Sequence, residues 1–398
     1  MTRRNPTMPF TCERSHAAKS FCRATLLASL ALACIPVHAG LDEAKNAIRA
    51  KDFQQALREL QPLAATGDAV AQRMLGDMFY AGMGVARDLA RAFELQKAAA
   101  EKGDIDAQNS VGHMLNMGEG VAKNPAAAAR WFARAAEQGN PRGHYNLATL
   151  LRAGSGVPRD PISALDHYEM AAQQGYPAAQ YYLGVMTVLG EGREADLKRG
   201  LYWLRAAASA DDAQAAFKLG EMHASGAGVE RDPVASLGWF KSAANQGHTE
   251  ALYRLASLYH RGIDVPRDTG RAFGYYVDAS DRGHAASTLN AAIMLDEGDG
   301  VAENKGRAMS LYVQAAQAGL GQACNNLAAN MVSDKSAQAD PVEVLKWFEL
   351  AIQAPTANPK TRELARTNRD TIARGLSQVQ VDQARQRARD WALQYWQR

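Results

Sequence analysis

The feature that most constrains this chain is a 36-residue period, which recurs eight times in succession without an inserted or deleted residue. A fixed period of this size indicates a solenoid, in which each unit buries its apolar face only against its neighbours. The length of 398 residues therefore does not imply several globular domains, because a solenoid grows along one axis. The repeats begin at Gly67, Gly103, Gly139, Gly175, Asp211, Gly247, Gly283 and Gly319.

The residues before the repeats have the composition of a signal peptide. A flank with basic residues precedes an apolar run over 24–35, and a small-residue ending follows over 36–39. We predict a signal peptide over 1–39, cleaved after Ala39, and expect no transmembrane segment once it is removed, since the run has about 12 residues and a span needs about 20. Lipid attachment at Cys34 is an alternative, although Ala31-Leu32-Ala33 is a poor lipobox, and translation could start at Met8 rather than Met1. The expected location is the periplasm, with secretion as the alternative.

The excess of basic over acidic residues in the chain comes from residues 1–39. The whole chain has 45 basic and 42 acidic residues, and without residues 1–39 the counts become 40 and 41. A nucleic-acid partner is therefore not expected. Of the four cysteines only Cys324 lies beyond the leader, so no internal disulfide is possible in the mature chain. We predict that Cys324 is a small buried residue of a helix.

Within a repeat, numbered 1–36, the first half predicts a helix that we call helix A. Position 5 is usually Ala, position 9 Leu and position 10 Gly or Ala, as in Leu75-Gly76. Positions 5, 9 and 13 share one helical face, and the small residues at 5 and 10 allow another helix to approach closely. Glycines at positions 16 and 18 recur in six repeats, where they can end helix A in the left-handed conformation. Valine follows at position 19 in six repeats.

The second half of the repeat predicts helix B. Position 22 is Asp or Asn in all eight repeats, and four of these residues precede a proline. An N-cap acceptor followed by proline at the first helical position is a strong helix start. Bulky residues follow at positions 29 and 30, as in Trp131-Phe132, and small doublets such as Ala135-Ala136 end the helix.

These residues resemble the Sel1-like repeat family, which is related to tetratricopeptide repeats. The resemblance covers 67–354 and implies an all-α fold, a right-handed α/α solenoid of stacked helix-turn-helix repeats. Two repeats depart from the pattern: the fourth has Arg193 in place of valine, and the eighth has Asp334 and Ser336 in place of the loop glycines. A terminal repeat is expected to be atypical, because one of its faces has no neighbour.

The flanks of the repeats are predicted to be helical caps. Residues 40–66 resemble part of a tetratricopeptide unit and are expected to form N-terminal capping helices. Residues 355–398 are expected to form C-terminal capping helices, the last of them amphipathic over 378–398 and covering the final repeat. The alternative is an exposed helix for a membrane surface or a partner, given its arginines and tryptophans.

No catalytic or metal-binding motif occurs in the sequence. The glycine pairs follow a helix rather than a strand, so they are not a phosphate-binding loop. His113, His144, His167 and His223 show no metal-ligand spacing, and the acidic stretch over 296–303 lacks the calcium-loop pattern. We therefore expect no enzymatic activity, no cofactor and no metal.

By analogy with tetratricopeptide solenoids, positions 4, 7, 11 and 14 of helix A should line a concave groove. Position 7 is aromatic in four successive repeats, which favours either packing between A helices or anchoring of a ligand. The mixed charges around it favour a polypeptide or a glycan over a polyanion. The candidate partner-binding residues are Tyr145, Tyr181, Phe217 and Tyr253 at position 7, with His113, Arg152, Glu221, His260 and Arg261 beside them.

The resemblance implies a non-enzymatic protein–protein interaction scaffold of the cell envelope. Its partner, pathway and oligomeric state remain open. One alternative is a glycan-binding module that assists surface-polysaccharide assembly or export, and another is a purely structural oligomer. Some exported relatives are cysteine-rich and linked to β-lactam binding, but this chain lacks the paired cysteines of that group.

Overall fold

The structure is a computed structural model that describes residues 40–333 and 339–396. The predicted signal peptide, with Cys34 and Ala39, lies outside the described residues, as do Asp334 and Ser336 of the eighth repeat. Every regular element in the described ranges is an α-helix, and consecutive helices pack as pairs, which confirms the predicted all-α solenoid fold class.

Eight pairs of helices occupy the repeats, and all sixteen helices contain 13 residues. The A helices are α3 (Ala69–Ala81), α5 (Ile105–Met117), α7 (Pro141–Ala153), α9 (Pro177–Leu189), α11 (Ala213–Ser225), α13 (Thr249–Arg261), α15 (Ala285–Glu297) and α17 (Gly321–Ser333). The B helices are α4 (Leu89–Glu101), α6 (Pro125–Glu137), α8 (Pro161–Gln173), α10 (Leu197–Ser209), α12 (Pro233–Asn245), α14 (Thr269–Asp281), α16 (Lys305–Gln317) and α18 (Pro341–Gln353). Before them lie α1 (40–49) and α2 (Phe53–Ala65), and after them α19 (Pro359–Ala373) and α20 (Gln378–Trp396).

The start of every B helix is fixed by the side chain at position 22. In α4, Asp88 accepts a hydrogen bond from the backbone N–H of Arg91, and Asn124 accepts one from Ala127 in α6. The same N-cap bond occurs in all eight B helices, which confirms the sequence prediction. Each such cap stabilises a helix by about 1 kcal/mol, so the start of helix B is set locally in every repeat.

Within a repeat, helix A approaches helix B through the small residue at position 10. The α-carbon of Gly112 faces the ring of Phe132, and a methyl group there would lie within 2.9 Å of three ring carbons. Gly220, the position-10 residue three repeats later, faces Phe240 in the same way. The residue at position 30 fills the space that the small residue leaves, and Phe132 and Phe240 are both buried. The valine at position 19 packs onto this core, as Val121 and Val229 show.

Between repeats, the glycine at position 18 sets how closely the interhelix loop lies on the preceding B helix. Gly120 has φ of +70° and lies against the backbone of Leu89 and Ala90, which begin α4. Any side chain at Gly120 would clash with the Leu89 carbonyl. In the sixth repeat the position holds Asp264, which keeps the left-handed conformation with φ of +61° and accepts hydrogen bonds from the guanidinium of Arg231.

The last helix packs onto the last repeat. Val381, Ala384 and Ala388 of α20 are buried against α18 and its neighbours, and the indole Nε1 of Trp396 donates to the carbonyl of Ala316 at 2.9 Å. The apolar face of α20 is thus covered by protein.

The buried carboxylate of Glu349 on α18 ties both C-terminal helices to it. Glu349 accepts a hydrogen bond from Arg385 of α20 at 3.3 Å and lies 4.0 Å from a guanidinium nitrogen of Arg369 of α19. Among the described residues, no helix is both long and apolar enough to cross a bilayer.

The chain divides into two compact units. The described part of the N-terminal unit comprises residues 40–179 and 191–194, and the C-terminal unit comprises 180–190 and 195–396 without 334–338. Cys324 lies in the C-terminal unit, where it is fully buried on α17 as predicted, and burial raises the pKa of its thiol to about 12.

The close approach at position 18 predicts that Gly120→Ala destabilises the protein more than Gly139→Ala. Both glycines have positive φ, so both substitutions cost about 1 kcal/mol or more in the left-handed conformation. Only Gly120 meets backbone within reach of a methyl group, since nothing lies within 4 Å of that site at Gly139. We expect the free energy of unfolding in urea to fall by about 1–3 kcal/mol more for Gly120→Ala. Equal losses in the two variants would contradict the close approach.

Candidate binding surface of the A helices

The nine predicted site residues lie on five A helices, and we call the exposed parts of these helices the A-helix surface. Eight of the nine side chains are half-buried, and Arg261 is exposed. By helix they are His113 on α5, Tyr145 and Arg152 on α7, Tyr181 on α9, Phe217 and Glu221 on α11, and Tyr253, His260 and Arg261 on α13.

The position-7 aromatic rings pack against other rings of the protein. Phe217 stacks on His248 of the next repeat, with ring centroids 4.4 Å apart and planes 18° apart. Its other neighbour is Phe240 of helix B in its own repeat, at 5.6 Å. Tyr253 has the same two kinds of neighbour one repeat later, His284 at 4.9 Å and Tyr276 at 6.0 Å. The packing interpretation of the aromatic series therefore has direct structural support.

In every case for which the contact is described, position 7 meets position 2 of the following repeat. In the N-terminal unit, the ring centroids of Tyr145 and Tyr176 lie 5.2 Å apart. Where position 7 is polar, the contact is polar too. In the first repeat, for example, Arg73 donates a hydrogen bond to Asp104 at 3.2 Å. Position 2 is also the N-cap of helix A, since Asp104 accepts from the backbone of Ala107. The sequence analysis did not identify position 2 as a contact position. The recurrence of Asp or Asn at this position in several repeats was a signal that could have been used.

Arg152 is held by an ion pair between repeats. Its guanidinium donates to Glu191 at 2.9 Å, from position 14 to position 17 of the following repeat. Arg159, at position 21, donates to the Arg152 carbonyl at 3.1 Å and to the same carboxylate at 3.0 Å. These hydrogen bonds, chiefly that from Arg152, hold the pKa of Glu191 below its usual value. The predicted binding residue thus also serves the contact between repeats.

His260 occupies the equivalent place in the C-terminal unit. Its Nε2 lies 3.0 Å from a carboxylate oxygen of Asp299, and Arg267 donates to both the His260 carbonyl and Asp299. In the N-terminal unit, Tyr80 donates its hydroxyl to Glu119 at 2.8 Å. The bond between positions 14 and 17 is therefore a recurring link between repeats.

Among the described residues, two cavities include predicted site residues of the A-helix surface, one in each unit. In the C-terminal unit a cavity of about 470 Å³ lies between α11 and α13 and includes the predicted Glu221 and Arg261. Its lining residues are Lys218, Glu221, Ala224, Ser225, Phe240, Arg254, Ser257, Leu258, Arg261 and Ile263.

The smaller cavity, of about 210 Å³, includes His113 in the N-terminal unit. Buried Gln96 donates its amide to Asp77 at 2.6 Å, and burial raises the pKa of this carboxyl group. His113 lies 3.7 Å from Glu119, which is too long for a hydrogen bond. The lining is Asp77, Tyr80, Gln96, Ser110, His113, Met114 and Arg142.

Comparison with known families identifies the repeat. The family model of the Sel1 repeat matches seven consecutive segments, which together make up more than half of the chain: residues 69–104, 105–140, 141–176, 177–212, 213–248, 249–284 and 285–320. The chain belongs to the Sel1 repeat family. The predicted eighth repeat extends beyond the last matched segment, and α17 and α18 form its helix pair.

Solved structures show the same fold. A Sel1 repeat protein from Oxalobacter formigenes is 31% identical, with an alignment that covers 61% of this chain and 99% of that chain and a TM-score of 0.57. A protective antigen from uropathogenic Escherichia coli strains, which displays an SLR fold, is 24% identical over 90% of this chain and 84% of that chain, with a TM-score of 0.53. At that identity the likeness concerns the fold alone. The comparison with curated proteins gave no match. The Sel1 repeat solenoid is generally a protein–protein interaction scaffold and typically non-catalytic.

The third Sel1 repeat contains a histidine pair that the sequence analysis missed. Nδ1 of His144 on α7 lies 2.9 Å from Nδ1 of His167 on α8, 23 residues later. Burial lowers the pKa of both imidazoles, and His167 lowers that of His144 further. The two residues occupy positions 6 and 29 of one repeat, and only the packing of helix A on helix B brings them together. Among the described residues, no group of three or more His, Cys, Asp or Glu side chains is placed to hold a metal ion.

The histidine pair predicts that the protein loses stability as the pH falls below about 6.5. An unfolded histidine binds its proton near pH 6.5, whereas the folded pKa values are lower, so the unfolded chain binds more protons in this range. Each extra proton gives a slope of at most about 1.4 kcal/mol per pH unit. We expect the free energy of unfolding to fall less between pH 7 and pH 5 in the double variant His144→Leu, His167→Leu. An unchanged slope would contradict this; His248, whose pKa burial also lowers, keeps part of the dependence.

Proposed function

We propose that this Sel1 repeat protein is a non-enzymatic scaffold of the cell envelope that binds an extended polypeptide segment of a partner protein. The binding surface is the A-helix surface of the C-terminal unit. The observation that carries the proposal is the cavity of about 470 Å³ between α11 and α13, because it combines charged and apolar side chains from two successive repeats. A partner segment that crosses this cavity would meet side chains of both repeats.

The composition of this cavity suits a polypeptide. Arg254 and Glu221 can exchange hydrogen bonds with peptide groups and polar side chains, while Phe240 and Leu258 provide apolar contact area. The half-buried aromatic side chains at position 7 add to that area, although their rings are partly used in packing. The predicted site residue His260 lies on α13 of the same unit, where it would contact the same partner segment.

Position-resolved photo-crosslinking tests this proposal. A benzophenone amino acid is placed at Ser225, which lines the cavity, or at Ser209 as the matched control. Both are exposed serines at the last residue of a helix, but Ser209 ends a B helix. In cells that produce the full chain, we expect a discrete, protease-sensitive adduct from position 225 only. Equal adducts from both positions, or none from either, would overturn the proposal.

The envelope location rests on the predicted signal peptide over 1–39. N-terminal sequencing of the mature protein is expected to read Gly40 as the first residue, because the small-residue ending places cleavage after Ala39. Lipid attachment would instead leave Cys34 as the first residue, with a blocked amino group. An intact leader in the mature protein would contradict export.

Glycan binding is the second candidate, and the smaller cavity favours it. This cavity, of about 210 Å³, is lined by hydroxyl, amide, carboxyl, imidazole and guanidinium groups, and Met114 provides an apolar contact. Groups of this kind can exchange several hydrogen bonds with sugar hydroxyls. A benzophenone amino acid at Ser110, which lines this cavity, distinguishes the two candidates. A protease-resistant adduct from position 110 would support the glycan, and a protease-sensitive one would support the polypeptide.

A further inference from the structure

The larger cavity lies at an interface where position 14 makes no link to position 17 of the next repeat. At three other interfaces of the described chain, position 14 bonds to position 17 of the next repeat, as Arg152 does with Glu191 and His260 with Asp299. Between the fifth and sixth repeats these positions hold Ala224 and Ile263, which cannot form that bond. Both residues line the cavity, and Ile263 is 45% exposed. The small side chain of Ala224 leaves a space between the two repeats, and Ile263 presents an exposed apolar side chain to it.

The charges around this space are unequal. The lining holds the cations Lys218, Arg254 and Arg261 and the single carboxylate Glu221. Glu221 lies 3.5 Å from the Lys218 ammonium and 4.0 Å from Arg254. Arg254 also bonds to Glu250 of its own helix at 3.2 Å, so its charge is already balanced.

Arg261 differs from the other two cations. It is exposed at the last residue of α13, and in the described part of the chain it makes no hydrogen bond or ion pair. Its five N–H donors remain available to a ligand, in a fork that matches a carboxylate. Phe240, Leu258 and Ile263 provide apolar surface in the same cavity.

We propose that this cavity binds an acidic side chain of the partner's extended segment, with the Arg261 guanidinium paired to its carboxylate. An apolar side chain next to that acidic residue packs on Phe240, Leu258 and Ile263. The inference rests on the proposed function, because it specifies which kind of partner side chain the cavity between α11 and α13 binds. Charge complementarity favours an acidic segment over a basic or a neutral one. A basic side chain would be repelled by Arg261, and a neutral one would leave the Arg261 charge without a partner.

The experiment uses immobilised arrays of acetylated and amidated heptapeptides, so that no chain terminus supplies a carboxylate. Matched peptides carry Glu-Phe, Gln-Phe or Lys-Phe at their centre within varied neutral flanks. Binding of the full mature chain is measured across the array, and dissociation constants of the strongest sets by fluorescence anisotropy. We expect the Glu peptides to bind roughly tenfold more tightly than their Gln counterparts, with the preference weakening as salt is added.

Two variants locate the preference. Arg261→Gln is expected to bring the Glu-to-Gln ratio close to one, whereas Arg307→Gln should leave it unchanged. Arg307 is an exposed arginine of helix α16 with no side-chain ion pair in the described structure. Circular dichroism is used to check that both variants fold. Peptides that bind equally well with Glu, Gln or Lys would overturn this inference and leave the proposed function standing. Retention of the preference in Arg261→Gln would overturn it too, and no binding of any peptide would overturn both.

Discussion

The contact between one repeat and the next is the constraint on which the rest of this structure depends. A single helix pair cannot bury its own apolar face, so each repeat must place its loop and its A helix against a neighbour at a fixed distance. Gly120 allows the loop to lie directly on the start of α4, and Phe217 stacks on His248, the N-cap residue of α13 in the next repeat. These contacts use positions far apart in the 36-residue unit, so an inserted residue between them would break both. The uninterrupted period of the sequence is the consequence.

Because several interfaces use the same positions, a change at one interface has a local result. Tyr80, Arg152 and His260 bridge successive repeats with hydrogen bonds to acidic residues. Ala224 forms no such bridge, and a cavity opens beside it. A repeat protein can thus hold a cavity between two repeats that lack one contact, while the helices on either side keep their positions through the remaining ones.

The fold was largely predictable from the sequence, because its signals are local. Helix starts at Asp88 and Asn124, helix ends at left-handed glycines and burial of Cys324 follow from the residues at each position. The site was predictable only in part. The four aromatic side chains at position 7 are half-buried on the A helices. Their contacts with position 2 of the next repeat were not predicted, because those contacts depend on how successive repeats stack. Nor could the spacing of His144 and His167 show that their rings meet, since that depends on the packing of two helices.

The C-terminal helix α20 has a consequence for assembly. Solenoid ends expose the kind of surface that their own repeats are built to cover, so an open end is suited to joining another copy into a filament. Here Val381, Ala384 and Ala388 occupy that surface on α18, and Trp396 reaches back to the Ala316 carbonyl of the preceding helix pair. Elongation from this end would require α20 to detach first. The tail therefore covers the surface on which a further repeat or another copy would stack at this end.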